Sequence, residues 1–221
     1  MLFRSYERFE EVVAGYPPTP VPEARIAGRD MLYSSGTTGR PKGIVPTAPG
    51  SPLESTPVIV TPLLQSVLGV QPASAVYLSP APLYHAAPLR FCESFHQLGG
   101  TVVLMDRFDA ARALELIAEH GVTHTQMVPT MFVRLLRLPA AVRDGADLST
   151  LEAVIHAGAP CPPAVKQQML DWLGPIVHEY YASTEACGLT WSTPQDWLAH
   201  PGTVGRAVVG VAHVVDDDTG A

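Results

Sequence analysis

Lysine is nearly missing from this sequence: Lys42 and Lys166 are the only two among 221 residues, against twelve arginines. With a formal net charge of −7 and no dense basic stretch, the chain is not expected to hold nucleic acid, whose phosphates demand clustered cations. Cysteine is sparse too. Cys92, Cys161 and Cys187 are odd in number and show no CxxC spacing, which argues against a disulfide framework or a thiolate zinc site and fits a reducing cytoplasm. Long apolar runs are absent: the most apolar window, Pro57 to Leu68, is too short and proline-broken to cross a bilayer. Arg4, Glu7, Arg8, Glu10 and Glu11 deny the first residues the apolar core of a signal peptide. No repeat or low-complexity segment occurs. These absences lead to a soluble cytoplasmic protein with no transmembrane segment.

What is present is apolar and globular in character, with 47% apolar and 16% charged residues. A chain of this length can bury roughly 70% of its unfolded surface. One of the two lysines falls in the most telling stretch, Leu32-Tyr33-Ser34-Ser35-Gly36-Thr37-Thr38-Gly39-Arg40-Pro41-Lys42-Gly43. Met31 to Tyr33 is expected to end a strand. The glycines beyond it let backbone N–H groups converge on an anion. Thr37 and Thr38 add hydroxyl donors, Lys42 a point charge, and Pro41 stiffens the approach. This reads as a phosphate-gripping loop. A Walker A loop needs Gly directly before Lys and Ser or Thr directly after, and here Pro41 and Gly43 stand in those places.

Along the chain, Tyr6, Phe9, Val12 and Val13 recur at helical spacing, so a helix is predicted over 3–14, followed by a proline-rich linker over 16–28. A helix is expected after Pro57 through Leu68. From Ala75 onward, strands and helices alternate. Strands are predicted at 75–78, 101–105, 122–128, 151–156 and 176–180. Helices are predicted at 89–98, from the N-cap Asp109 to His120 with Gly121 closing, at 129–138, and from Pro162-Pro163 to Leu173-Gly174. Short strands alternating with helices of ten to twelve residues imply βα units, an α/β fold with a mostly parallel sheet flanked by helices. Val208 to Val215 is expected to begin a separate antiparallel element. Gly121 breaks the helix between His120 and His124, which argues against a metal pair there.

The twelve-residue loop resembles the phosphate-binding signature of the adenylate-forming superfamily, which holds acyl-CoA synthetases, aryl-CoA ligases, luciferases and peptide-synthetase adenylation domains. Further segments resemble that family's motifs in the same order. Pro82-Leu83-Tyr84-His85 is similar to the motif that gates the acyl pocket, and Val128-Pro129-Thr130-Met131 to the segment lining the acyl tunnel. Ala157-Gly158-Ala159-Pro160 is similar to the turn supporting adenine. Tyr180-Tyr181-Ala182-Ser183-Thr184-Glu185 matches a Y-G-x-T-E motif, with Ala182 in place of Gly, and Gly202-Thr203-Val204-Gly205-Arg206 matches a G-x-V-G-R-P segment, with Ala207 in place of Pro.

The resemblance implies an AMP-forming acid–CoA ligase using ATP, Mg²⁺ and coenzyme A. It implies nucleotide contacts from Ser35, Gly36, Thr37, Thr38, Gly39, Lys42, Gly158, Ala159, Pro160, Tyr180, Tyr181, Ala182 and Thr184. It places Glu185 and Thr37 on the metal, and gives Lys42, Thr184, Glu185 and His85 the catalytic or gating roles. Taken alone, a strand-end glutamate is more often a solvated surface residue, and a lone histidine more often structural. Ala86, Ala87, Leu89, Phe91 and the surroundings of Met131 point to a fatty acid. The lack of aspartate from Pro82 to Phe95 disfavours an amino acid. The expected organisation is a helix and linker over 1–30, an AMP-binding core over 31–207, and the start of a β element over 208–221. The family's ribose-binding aspartate and its lysine-bearing C-terminal domain have no counterpart in these residues. The chain is therefore expected to be an incomplete, inactive part of a longer enzyme. The alternative is a non-catalytic ATP- or AMP-binding module.

Overall fold

The computed structural model describes residues 9–16, 25–34, 40–213 and 215. The chain forms two compact units, one of Met1–Gly28 with Ala48–Thr56 and one of Arg29–Thr47 with Pro57–Ala221. In the smaller unit, helix α1 spans Phe9–Ala14; residues 3–8 of the expected helix lie outside the described residues, as do 17–24 of the linker. Ile26 bridges Pro52 in antiparallel fashion. Beside it, Arg25 donates to Glu54 at 3.1 and 2.6 Å. Both side chains are exposed, so that pair adds little stability.

The larger unit opens with a hairpin, β1 (Leu32–Ser34) against β2 (Lys42–Ile44), in which Ser34 faces Lys42. Helix α2 (Thr61–Leu68) follows and stops at Gly69, whose φ of +65° only glycine adopts freely. The main sheet then assembles from β3 (Val76–Ser79), β4 (Thr101–Leu104), β5 (His124–Met127), β6 (Ala153–His156), β7 (Val177–Ala182), β8 (Leu189–Ser192) and β9 (Arg206–Val209). Its order is β4-β3-β5-β6-β7-β8-β9; the first five strands are parallel and the last two join antiparallel. This is the expected α/β, mostly parallel sheet. Elements not expected from the sequence include β2, the short 3-10 turn Leu53–Ser55, α6 (Ala140–Asp144), β8 and α8 (Pro194–Ala199). The antiparallel segment expected from Val208 starts at Arg206, and it pairs with β8 at the edge of the main sheet.

Side-chain alternation along each strand divides the core between the two sheet faces. Tyr77, Ala153 and Ile155 pack with Leu64, Phe91, Phe95 and Trp191, beneath α2 and α3 (Ala86–Gln97). Leu78, Met127, Val154 and Val177 pack with Leu114, Ile117, Phe132 and Met169, beneath α4 (Ala110–His120), α5 (Pro129–Leu136) and α7 (Pro163–Leu173). Local chemistry sets the helix ends. Asp109 accepts the Arg112 N–H at the start of α4, and Gly121 closes it at φ +59°. At α8, Thr193 and Asp196 form a reciprocal capping box.

Candidate active site

Because β3 to β7 run parallel, Ser79, Met127, His156 and Ala182 finish on one edge of the sheet. In open α/β sheets ligands bind outside the carboxyl ends of the strands. Three of the turns leaving this edge carry motifs that the sequence singled out: 80–85 after β3, 157–162 after β6 and 183–188 after β7.

His85 is the N-cap of α3, exposed, with its ring centroid 4.5 Å from that of Tyr84. Phe91 and Met131, by contrast, are buried in the two core clusters. Their apolar character is accounted for by packing and says nothing of an acyl group. Gly158 sits at φ +84° with Ala159 and Pro160 exposed beside it, where a Cβ on the glycine would lie 3.5 Å from Val128 Cγ1.

The two adjacent tyrosines of β7 point opposite ways. Tyr180 is stacked between Phe91 (6.1 Å, 24°) and Trp191 (6.1 Å, 9°), and burial pushes its hydroxyl up to about 12. Its ring is thus occupied in the core, and the flat face open to a ligand is that of Tyr181, 67% exposed. Ala182 is exposed and is not among the residues with positive φ, so a methyl where the family has glycine strains nothing. Thr184 is half-buried and Glu185 exposed; a turn from Ser183 carries both, closed by the Ala186 N–H donating to Ser183 O at 3.1 Å. Ala186 itself adopts φ +57°, a conformation that non-glycine residues enter only at a cost.

The hairpin brings Lys42 opposite Ser34, with its side chain exposed. Ser35, Gly36, Thr37, Thr38 and Gly39 lie outside the described residues. At Gly43 a Cβ would come 2.8 Å from Met31 Cε, the tip of an exposed and flexible side chain that can move aside. Gly205 is required by its backbone: at φ +88°, a Cβ would run into the Trp191 carbonyl. The Gly202–Arg206 motif is in this respect a backbone crossing, tied further by Thr190 Oγ1 donating to Val204 O at 2.7 Å.

Among the described residues, no three His, Cys, Asp or Glu side chains gather as a metal cluster. A single exposed carboxylate, Glu185, next to a hydroxyl, Thr184, fits a Mg²⁺ that arrives on phosphate oxygens and keeps waters; it does not fit a dedicated protein cage. One polar cluster went unnoticed in the sequence. Lys166 donates to Glu179 at 2.6 Å beneath the edge, with His156 Nε2 3.4 Å from the same carboxylate oxygen. Burial, aided by the Lys166 charge, drives the His156 imidazole down to about 3, so it is neutral. Burial and the Glu179 charge push the Cys161 thiol up to about 11, so it is a poor nucleophile. The scarcity of lysine was the signal that marked Lys166, but its partner lies on another element.

Comparison with known proteins adds four findings. The model of the AMP-binding enzyme family matches residues 5–221. A medium/long-chain-fatty-acid–CoA ligase of Mycobacterium tuberculosis is 31% identical over 176 residues, 78% of this chain and 29% of that protein. A feruloyl-CoA synthase of an Amycolatopsis species is 34% identical over 157 residues, 71% of this chain and 30% of that protein. Among solved structures, the inhibitor-bound N-terminal domain of FACL13 from Mycobacterium tuberculosis superposes with a TM-score of 0.71 at 29% identity, over 90% of this chain and 49% of that one. The chain spans less than a third of the length of these two relatives.

Proposed function

The chain belongs to the AMP-binding enzyme family, and from that premise we propose that it supplies the nucleotide and acid-gating part of an enzyme that activates an apolar carboxylic acid with ATP. The observation that carries this reading is the gathering, on one sheet edge, of the turns bearing His85, Gly158–Pro160 and Tyr181–Glu185. In the proposed reaction a carboxylate oxygen attacks the α-phosphorus of ATP, the bond to pyrophosphate breaks, and an acyl-adenylate results. The thiolate of coenzyme A then attacks the acyl carbonyl carbon and AMP leaves.

Each residue has a role in this reading. Ser35, Gly36, Thr37, Thr38, Gly39 and Lys42 grip the β- and γ-phosphates. Tyr181 lies along the adenine with Gly158, Ala159 and Pro160 against its edge, and Ala182 borders the nucleotide. Thr184 donates its hydroxyl to the α-phosphate. Glu185, with Thr37, takes Mg²⁺, whose charge offsets that of the phosphates. His85 and Tyr84 shape the entry of the acid. Tyr180 serves from below, bracing the strand that presents Tyr181. The fatty-acid reading rests on the fatty-acyl relative; the feruloyl relative extends the class to aryl acids. What the two named acids share is an apolar body on a carboxylate.

The test is acid-dependent exchange of pyrophosphate into ATP by the protein expressed from its intact gene, across acetate, octanoate, palmitate, ferulate and an amino acid. Exchange that favours the apolar acids is expected. Tight ATP binding with no exchange for any acid would instead support a non-catalytic nucleotide-binding module.

A further inference from the structure

Arg90 is a charged residue, the fifth of α3, and it is almost completely buried. Its Nε donates to Asp30 Oδ2 at 2.9 Å, across sixty residues of sequence. The side chains are only 11% and 16% exposed, so this pair is screened far less than a surface one. Asp30 stands two residues before β1, at the base of the hairpin whose far end carries the Ser34–Lys42 pair. Glu93, one turn further along α3, also faces this site. Partial burial and the Asp30 charge push its carboxyl up, while Arg90 pulls it down. The guanidinium hydrogen-bonds Asp30, the carboxylate that belongs to the hairpin.

The same helix reaches two other parts of the site. Its N-cap is His85. Phe91, the residue after Arg90, stacks on Tyr180, whose neighbour on β7 is the exposed Tyr181. Residues from three of the proposed substrate-contacting segments thus bear on one rigid element within seven positions, 85 to 91.

We propose that Arg90 is a positioning residue for ATP: by holding Asp30 it fixes the β1–β2 hairpin to α3 and so sets where that hairpin presents Lys42 to the nucleotide's outer phosphates. This rests on the nucleotide reading above. Without the pair, the hairpin keeps its own two-stranded pairing but loses its bearing on the sheet. Lysine does not replace the arginine here, because an ammonium cannot offer the fixed in-plane Nε–H that Asp30 receives.

The test is calorimetric titration of the intact protein and its Arg90→Met, Asp30→Asn and double variants with Mg·ATP and, separately, with AMP. AMP lacks the two phosphates that Lys42 would hold. Each single variant is expected to weaken Mg·ATP roughly tenfold, the range of one charge-assisted hydrogen bond, while AMP changes less than about twofold. The double variant is expected to match the singles, since both remove one interaction. An unchanged ratio of ATP to AMP affinity overturns the proposal. So do additive losses in the double variant, or equal loss of both nucleotides along with a lower Tm. If the wild-type protein binds neither nucleotide, the nucleotide reading itself fails, an outcome distinct from all of these.

Discussion

Lys166 on α7 and Glu179 on β7 form a hydrogen-bonded ion pair at 2.6 Å, with the lysine wholly buried and the glutamate side chain 10% exposed. The Trp197 ring lies 5.4 Å from the same ammonium. The pair fastens α7, which follows the 157–162 turn, to the strand that ends in Tyr181 and Ala182. Burial lowers the Lys166 pKa, and its contact with Glu179 opposes that shift.

Breaking this pair from one side leaves a buried charge without a partner. Lys166→Met is expected to cost about 3–5 kcal/mol, whereas Lys166→Met with Glu179→Leu recovers most of that loss. Chemical denaturation of both variants checks this. A single variant losing less than about 1 kcal/mol would place the pair among weak surface ion pairs.

Two buried histidines, His124 and His156, and the half-buried His178 set a pH dependence. Burial drives His124, His156 and His178 down from 6.5 to about 4, about 3 and about 4, with the Lys166 charge contributing at the last two. Between those values and 6.5, the unfolded chain binds protons that the folded chain does not. Their contribution is therefore fully present above about pH 6.5 and falls with pH below it, by up to about 1.4 kcal/mol per unit for each histidine. Urea midpoints from pH 7.5 down to 4.5 are expected to hold steady and then drop. His124→Gln is expected to make the drop shallower; a midpoint that does not move down to pH 5 contradicts the assignment.

Two backbone positions respond in opposite directions. Ala186, at φ +57°, follows Glu185, and Ala186→Gly is expected to add about 0.5–1 kcal/mol by relieving that conformation. Gly205→Ala places a methyl on the Trp191 carbonyl. It is expected to cost more than about 1 kcal/mol and to strip hydrogen-exchange protection from β8 and β9 first. Equal stability of the Gly205→Ala protein would show that the crossing is looser than described.

For the proposed activity, Lys42 and Glu185 are both exposed, so changing them leaves the fold intact. Lys42→Ala is expected to slow acid-dependent pyrophosphate exchange about 10²–10³-fold. Glu185→Gln is expected to raise the Mg²⁺ concentration for half-maximal exchange while the Tm stays the same. Superimposable Mg²⁺ titrations would return Glu185 to an ordinary surface residue.

The parts of this protein that were legible in the sequence are those written in short-range chemistry. Asp109 and Gly121 bracket α4, Pro163 and Gly174 bracket α7, and the βα alternation yields the parallel sheet, because caps, prolines and side-chain periods act within a few residues. The helix α8 was legible in the same way, through the Thr193–Asp196 capping box, though it was not expected. The motif order along the chain was likewise enough to identify the family. What the sequence could not decide was which of two like residues faces which way. Tyr180 and Tyr181 are equivalent as letters. A strand has one side chain on each face, and only the packing of Phe91 and Trp191 selects Tyr180 for the core. The partners Asp30–Arg90 and Lys166–Glu179 lie sixty and thirteen residues apart on different elements. Burial sets the strength of each pair, and burial exists only once helices α3 and α7 have closed over the sheet.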